Sequence, residues 1–125
     1  DVAVDRKGNA YVAGFDSTNV FKITPAGEIS EIIDASGDGT SAGQLDNIRG
    51  VAVDRFGNVY VAGYHSGNVI RVSPSGEKSL LLSSVGSPLC TTETPPCKAS
   101  AITVDRNGTV YVAGALTNNA IAQEP

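Results

Sequence analysis

The stretch Val51-Ala-Val-Asp-Arg-Phe-Gly-Asn-Val-Tyr-Val-Ala-Gly63 decides the fold, because nearly the same string occurs on each side of it. The first copy is Val2-Ala-Val-Asp-Arg-Lys-Gly-Asn-Ala-Tyr-Val-Ala-Gly14, and the third is Ile102-Thr-Val-Asp-Arg-Asn-Gly-Thr-Val-Tyr-Val-Ala-Gly114. In each copy, two short β-branched and aromatic runs flank a segment of turn residues, which is typical of a β-hairpin. The sequence is therefore organised around a repeated hairpin.

The turn of each hairpin keeps an Asp, an Arg and a Gly, which in the second copy are Asp54, Arg55 and Gly57. The Asp54 carboxylate is suited to accept hydrogen bonds from backbone amides of the turn. Gly57 supplies the positive φ that a type I turn followed by a G1 bulge requires. The three Asp-Arg pairs allow two interpretations. In the functional one, they form a charged ring that binds a ligand. We favour the other, in which each Asp stabilises its turn and each Arg is exposed to solvent.

The duplication extends beyond the hairpin. Residues 1–33 and 50–82 align without gaps, and 18 of the 33 aligned positions are identical. Each unit has room for four strands, which we predict at 2–4, 10–13, 20–24 and 29–33, and at 51–53, 59–62, 69–73 and 78–82. Residues 118–125 align with 67–74, so we expect two complete units and a third that lacks its outer strand.

A repeat of about fifty residues with four antiparallel strands is typical of a β-propeller blade. The motif at 50–62 and the following Gly67-Asn-Val-Ile-Arg-Val72 resemble the NHL-type repeat of bacterial six-bladed propellers, and the linker at 37–52 resembles that family's connection between blades. The resemblance implies an all-β propeller fold without selecting a function, because the family includes protein-binding, nucleic-acid-binding, sensor and enzyme members. Two complete units and a partial third are fewer than a closed propeller needs, so we expect an open or partial propeller. The implied organisation is blade 1 at 1–33, a linker at 34–49, blade 2 at 50–82, a second linker at 83–100 and a partial blade 3 at 101–125.

Composition and charge narrow the range of partners. The chain has 125 residues, of which 41% are hydrophobic, enough for the core of one domain. Its net charge is −4 and its nine Lys and Arg residues are scattered, which argues against nucleic acid. No apolar run is long enough to cross a membrane. We therefore expect a protein or glycan partner, or copies of the chain itself in a homo-oligomer or filament.

The only two cysteines, Cys90 and Cys97, enclose a Pro-rich segment. A metal site needs more ligands, and neither a second pair nor a nearby His supplies them. A disulfide is the preferred interpretation, and it implies an oxidising compartment. The disulfide interpretation leads us to expect an extracellular, periplasmic or cell-surface location. Because the chain starts on a predicted strand without Met, we expect a processed or excised chain.

Candidate binding residues lie in the loops between the second and third strands of each unit. Because antiparallel strands alternate direction, these loops share one rim with the two long linkers, and long loops on a rigid scaffold favour binding. The predicted rim residues are Asp16, Tyr64, His65, Asn68 and Asn118. We expect His65 to be exposed and non-catalytic, because the equivalent positions, Asp16 and Leu116, provide no second histidine.

One segment resembles the opening of a calcium loop. Asp34, Ser36 and Asp38 place oxygen ligands at positions 1, 3 and 5, with a glycine at position 6. Position 12 is Leu45, where a calcium loop has a bidentate Glu. We therefore predict no cofactor and favour an ordinary interblade connection, with calcium as the alternative.

The leading hypothesis is a non-enzymatic, extracytoplasmic module that acts as an interaction or assembly scaffold. One alternative is a structural subunit that dimerises or polymerises through open blade faces. Another is a fragment of a propeller enzyme, such as a lyase, with its active site partly in absent blades. An open fan of blades exposes apolar faces at both ends, which need cover from a longer chain, a second chain or a filament.

Overall fold

A computed structural model describes residues 1–83, 98–114 and 120–124. Within these residues eleven strands form three antiparallel sheets, so the predicted all-β fold is confirmed. No described segment is a helix that could span a bilayer. Sheet 1 contains β1 (Val2–Val4), β2 (Ala10–Gly14), β3 (Asn19–Ile23) and β4 (Ile29–Ile33); sheet 2 contains β5 (Ile48–Val53), β6 (Val59–Gly63), β7 (Val69–Val72) and β8 (Lys78–Leu82); sheet 3 contains β9 (Ala99–Val104), β10 (Val110–Gly114) and β11 (Ala120–Gln123).

The hairpin turns form as their residues predict. In sheet 2, the Gly57 amide donates to the Asp54 carbonyl at 3.1 Å, and the Asp54 amide donates to the Asn58 carbonyl at 3.0 Å. Gly57 has a φ of 89°, which a residue with a side chain rarely adopts. The Asp54 carboxylate accepts the amides of Phe56 and Asn58, both at 2.9 Å. Arg55 is exposed, which agrees with the prediction of a solvated arginine in this turn.

Strand β5 begins earlier than the repeat pattern predicts. It starts at Ile48, inside the predicted linker, and a register shift between Ile48 and Gly50 lets Ile48 pair with Gly63. The side chains of Ile48 and Leu45 are buried in the core. The linker between sheets 1 and 2 therefore contributes to the core as well as connecting the repeats.

The three sheets stack face to face, with an apolar cluster at each of the two internal interfaces. Sheets 1 and 2 share a cluster that includes Tyr11, Ala13, Val20, Val51, Val59 and Val61. Sheets 2 and 3 share a cluster formed by Tyr60, Ala62, Val69, Ala99, Val110 and Val112. Sheet 2 is consequently covered on both faces, and β6 is buried at every position. In the outer sheets, β2 and β10 have nearly the same sequence as β6 but each exposes part of one face.

Candidate binding site on the loop rim

Three segments meet at Asn47 on the loop rim. The amides of Tyr64 and His65 donate to the carbonyls of Asn47 and Asp46, at 2.7 and 3.0 Å. The Asn47 side-chain amide donates to the Phe15 carbonyl at 3.1 Å. Asn47 has a positive φ of 53°, a conformation that Asn tolerates better than most residues. The β2–β3 loop, the first linker and the β6–β7 loop are thus tied together by backbone hydrogen bonds and by the Asn47 side chain.

These contacts bring three aromatic rings together. The ring centroids of Phe15 and Tyr64 lie 6.1 Å apart, those of Tyr64 and His65 lie 5.1 Å apart, and those of Phe15 and His65 lie 6.3 Å apart. His65 Nδ1 forms a hydrogen bond with Asn47 Oδ1. His65 is half-buried rather than exposed as predicted, because its ring packs against the other two.

Two cations stack on the same rings. Arg49 places its guanidinium carbon 4.5 Å from the Tyr64 centroid and 5.9 Å from the Phe15 centroid. Lys98 places Nζ 4.9 Å from the Tyr64 centroid. Such positions allow cation–π attraction, which holds the charged groups beside the rings. We call Phe15, Arg49, Tyr64, His65 and Lys98 the rim cluster.

The predicted rim residues have different environments. Tyr64 and His65 belong to the rim cluster, and Asp16 is exposed in the same loop as Phe15. Asn68 is only 1% exposed, and its side-chain amide donates to the carbonyls of Ala42 and Gln44, at 3.1 and 2.8 Å. Asn68 therefore anchors the first linker and is not free to contact a partner. Asn118 lies outside the described residues.

Three members of the rim cluster were not predicted. Phe15 and Tyr64 occupy equivalent repeat positions, directly after Gly14 and Gly63, so the alignment contains a signal for a paired aromatic position. Arg49 is the last residue of the first predicted linker, and Lys98 lies two residues before the end of the second. Their convergence on Tyr64 depends on how the sheets stack, which the repeat pattern does not specify.

The calcium candidate consists of two local turns. The backbone amide of Ser36 donates to Asp34 Oδ1, and that of Thr40 donates to Asp38 Oδ1, both at 2.9 Å. Side-chain hydrogen bonds from Ser36 and Thr40 are the main reason that the pKa values of Asp34 and Asp38 are lowered. Among the described residues, no group of three or more His, Cys, Asp or Glu is placed to hold a metal ion. The predicted disulfide partners, Cys90 and Cys97, lie outside these residues.

The opposite rim has a groove that was not predicted. It has a volume of about 350 Å³ and lies between the turns of sheets 1 and 2. We call it the basic groove, because four cations line it: Arg6, Lys7, Lys22 and Arg55. Its carboxylate, Asp5, accepts hydrogen bonds from the side chains of Asn9 and Tyr11, at 2.9 and 3.0 Å.

The Asp5–Tyr11 pair has shifted titration behaviour. Burial alone would raise the pKa of Asp5, but hydrogen bonds from Asn9, Tyr11 and the Lys7 backbone together lower it below its usual value. Burial, reinforced by the hydrogen bond to Asp5, raises the pKa of Tyr11 to about 12. The folded state therefore favours an ionised Asp5 beside a protonated Tyr11.

Comparison with known proteins identifies the repeat. Residues 39–70, which run from the first linker to β7, match the family model described as SBBP, a beta-propeller repeat. This segment is thus similar to a β-propeller repeat. The predicted propeller resemblance is thus confirmed, in a segment that contains Asn47, Arg49, Tyr64 and His65. A comparison with curated proteins yields no match.

Solved structures share the fold. Virginiamycin B lyase from Staphylococcus aureus is similar with a TM-score of 0.65 and 11% identity, over 98% of this chain and 40% of that chain. A Bacteroides thetaiotaomicron protein of unknown function is similar with a TM-score of 0.64 and 23% identity, over 92% of this chain and 32% of that chain. A gluconolactonase-like protein is similar with a TM-score of 0.59 and 15% identity, over 98% of this chain and 46% of that chain. The chain spans less than half of each of these proteins, and at such identities the likeness shows the propeller fold alone.

Proposed function

We propose that the chain is a non-enzymatic, extracytoplasmic interaction scaffold whose loop rim binds an acidic glycan. The observation that supports this proposal is the rim cluster, where Phe15 is 40% exposed beside Arg49 and where Lys98 lies over the neighbouring Tyr64 ring. The apolar face of a sugar ring packs well on an exposed aromatic side chain, and a uronic-acid carboxylate pairs with a guanidinium through two parallel hydrogen bonds. The cluster offers both kinds of contact.

The cluster is arranged before a ligand binds. Arg49 and Lys98 are held against Tyr64, so less side-chain freedom is lost when their charged groups meet a carboxylate. The net charge of −4 opposes a polyanion at long range, but salt screens that repulsion beyond a Debye length of about 8 Å at physiological ionic strength. Contact with the two local cations is then the dominant electrostatic interaction.

The test is a calorimetric titration of the 125-residue chain with oligogalacturonate at two salt concentrations. We expect binding that weakens as salt increases, and a roughly tenfold or greater loss of affinity for Arg49→Gln, since a charge-assisted bidentate contact is removed. Lys22→Gln, which removes a cation from the basic groove on the other rim, is the matched control and should leave affinity unchanged.

Three results would contradict the proposal: no binding of the oligogalacturonate, equal affinity of the wild type and Arg49→Gln, or a loss of binding in Lys22→Gln alone. The last result would move the site to the basic groove. Binding of an uncharged galactose oligomer with the same affinity would remove the role of the cations.

Extracytoplasmic placement is supported by the sequence of the second linker. A bond between Cys90 and Cys97 would close an eight-residue loop, and in the loop-entropy model it stabilises the fold by about 2.5 kcal/mol. The chain purified from its native source should therefore show no free thiol after unfolding without reductant, and its melting temperature should fall when reductant is added. Two reactive thiols in that sample would contradict this placement.

An enzymatic role has less support. His65 Nδ1 faces the side-chain amide of Asn47 rather than a carboxylate. The likeness to a lyase is a likeness of fold alone. We therefore do not propose a reaction.

A further inference from the structure

The basic groove lies between two sheets that both belong to this chain. Sheet 1 contributes Arg6 and Lys7 from the β1–β2 turn and Lys22 from β3. Sheet 2 contributes Arg55 from the β5–β6 turn. Because sheets 1 and 2 pack directly on each other, both walls of the groove are formed by this chain. The charge of the groove is therefore independent of whatever covers the outer faces of the stack.

The cations of the groove are not neutralised by carboxylates of the fold. Within the described part of the chain, the side chains of Arg6, Lys7 and Lys22 form no hydrogen bond or ion pair. Arg55 places its guanidinium carbon 4.7 Å from the centroid of the Phe56 ring, a cation–π contact that holds the charged group without neutralising it. All four cations are therefore available to an anionic ligand.

Asp5 is the one carboxylate among the described residues that line the groove, and both of its oxygens are occupied. Oδ1 accepts the backbone amides of Lys7 and Asn9, both at 2.9 Å. Oδ2 accepts the side-chain amide of Asn9 at 2.9 Å and the hydroxyl of Tyr11 at 3.0 Å. Asp5 thus serves its own turn, and it sets one negative charge against four positive ones. The groove keeps an excess of positive charge in a chain whose net charge is −4.

The corresponding groove between sheets 2 and 3 lacks this excess. Its described lining has a single cation, Arg71, which is the repeat equivalent of Lys22. Arg71 Nη2 donates to Asn58 Oδ1 at 3.1 Å, so this cation already has a partner. The same lining carries two carboxylates, those of Asp54 and Glu124. The cations between sheets 1 and 2 are therefore not a requirement of the fold.

We propose that the basic groove binds a small, soluble diphosphate. A diphosphate concentrates several negative charges and many acceptor oxygens in a small volume, which suits cations that reach the groove from both walls. A guanidinium pairs with phosphate through two parallel hydrogen bonds, and a lysine ammonium acts as a point charge. The groove volume of about 350 Å³ lies at the lower end of the range for small-molecule sites, about 300–1,000 Å³.

A compact anion fits the charge distribution of the chain better than a long one. Four of the nine Lys and Arg residues line the groove, and two of the others, Arg49 and Lys98, belong to the opposite rim. A polyanion that extended beyond the groove would meet few further cations and would be repelled by the net charge of −4. A uronic-acid oligomer carries one carboxylate per sugar, so it cannot concentrate its charge in the groove. This inference is therefore independent of the glycan proposal.

The test is a calorimetric titration of the 125-residue chain with inorganic pyrophosphate at low and at physiological salt concentration. We expect one site per chain, with an affinity that decreases as salt increases. Lys22→Gln and Arg55→Gln should each weaken binding roughly tenfold or more, because each removes a charge-assisted contact. Arg49→Gln, which removes a cation of the rim cluster, is the matched control and should leave the affinity unchanged.

A competition experiment separates the basic groove from the rim cluster. An excess of oligogalacturonate should leave the affinity for pyrophosphate unchanged, and Arg49→Gln should affect the oligogalacturonate alone. Either proposal can thus fail without the other. Displacement of pyrophosphate by the oligogalacturonate would show a general anion site and would overturn the inferred selectivity for phosphate.

Thermal melting checks that a weaker affinity does not reflect unfolding, and Arg55→Gln, at an exposed turn residue, should keep the wild-type melting temperature. The proposal would be overturned by the absence of saturable pyrophosphate binding, by equal affinities of the wild type and both groove variants, or by a loss of binding in Arg49→Gln alone. Co-sedimentation with vesicles that contain phosphatidic acid, without binding of pyrophosphate, would assign the phosphate chemistry to a lipid surface and overturn the soluble ligand.

Discussion

The turn aspartate of the middle blade has more hydrogen bonds than its turn requires. Besides two backbone amides, Asp54 accepts the side-chain amide of Asn58 at 2.8 Å and the hydroxyl of Tyr60 at 3.0 Å. All three residues are buried. In the third blade, Thr109 stands where the middle blade has Asn58, and Tyr111 is exposed. The same motif residue thus holds a buried network in one blade and a solvated one in another.

This difference predicts unequal costs for the same substitution. We expect Asp54→Ala to lower the free energy of unfolding by about 3 kcal/mol, because it leaves the donors of Asn58 and Tyr60 buried without a partner. Asp105→Ala should cost about 1 kcal/mol, since water replaces the lost partner of Tyr111. Urea denaturation of both variants checks this, and equal losses would contradict it.

The raised pKa of Tyr11 predicts a dependence of stability on alkaline pH. An unfolded tyrosine ionises near pH 10, whereas Tyr11 in the fold keeps its proton to about pH 12. Its contribution is therefore complete below pH 10 and is lost as pH rises through 12. The difference in melting temperature between the wild type and Tyr11→Phe should shrink over that interval, and a difference that does not change with pH would contradict the prediction.

At the scale of strands and loops, the repeat pattern predicts what is local. The turn around Gly57 is predictable because Asp and Gly define it through backbone geometry alone. The start of β5 is not predictable from the repeat, because Ile48 joins the strand by packing into the core between sheets 1 and 2. The rim cluster likewise has members that local sequence predicts and members that it does not. Tyr64 and His65 were predicted from their loop, whereas Arg49 and Lys98 approach Tyr64 only after the sheets stack.

Equivalent loop asparagines should differ in importance. Asn68 holds two linker carbonyls from a buried position, whereas Asn19 in the first blade donates to the exposed Glu31 carboxylate at 3.2 Å. We expect Asn68→Ala to cost about 2 kcal/mol and Asn19→Ala less than about 0.5 kcal/mol. Unfolding measurements give the cost, and faster hydrogen exchange at residues 42–45 should accompany the first variant alone. An equal cost at both positions would show that the linker is held elsewhere.

At the scale of the whole molecule, the middle sheet is the most constrained part of the stack. Both of its faces are covered, whereas each outer sheet has one open face. We expect Val61→Ala to cost about 2–3 kcal/mol, because it leaves a cavity in a close-packed interface. Val12→Ala at the equivalent position should cost about 1 kcal/mol or less, because that side chain is already 38% exposed. Urea denaturation measures both values, and a larger cost for Val12→Ala would contradict this prediction.

At both internal interfaces, a sheet face that carries Tyr11 or Tyr60 packs on a sheet face that carries Val61 or Val112. The stack therefore has a direction, and this has an evolutionary consequence. A unit duplicated within the gene would carry both kinds of face with it, so the array could gain a blade without a new interface chemistry having to arise.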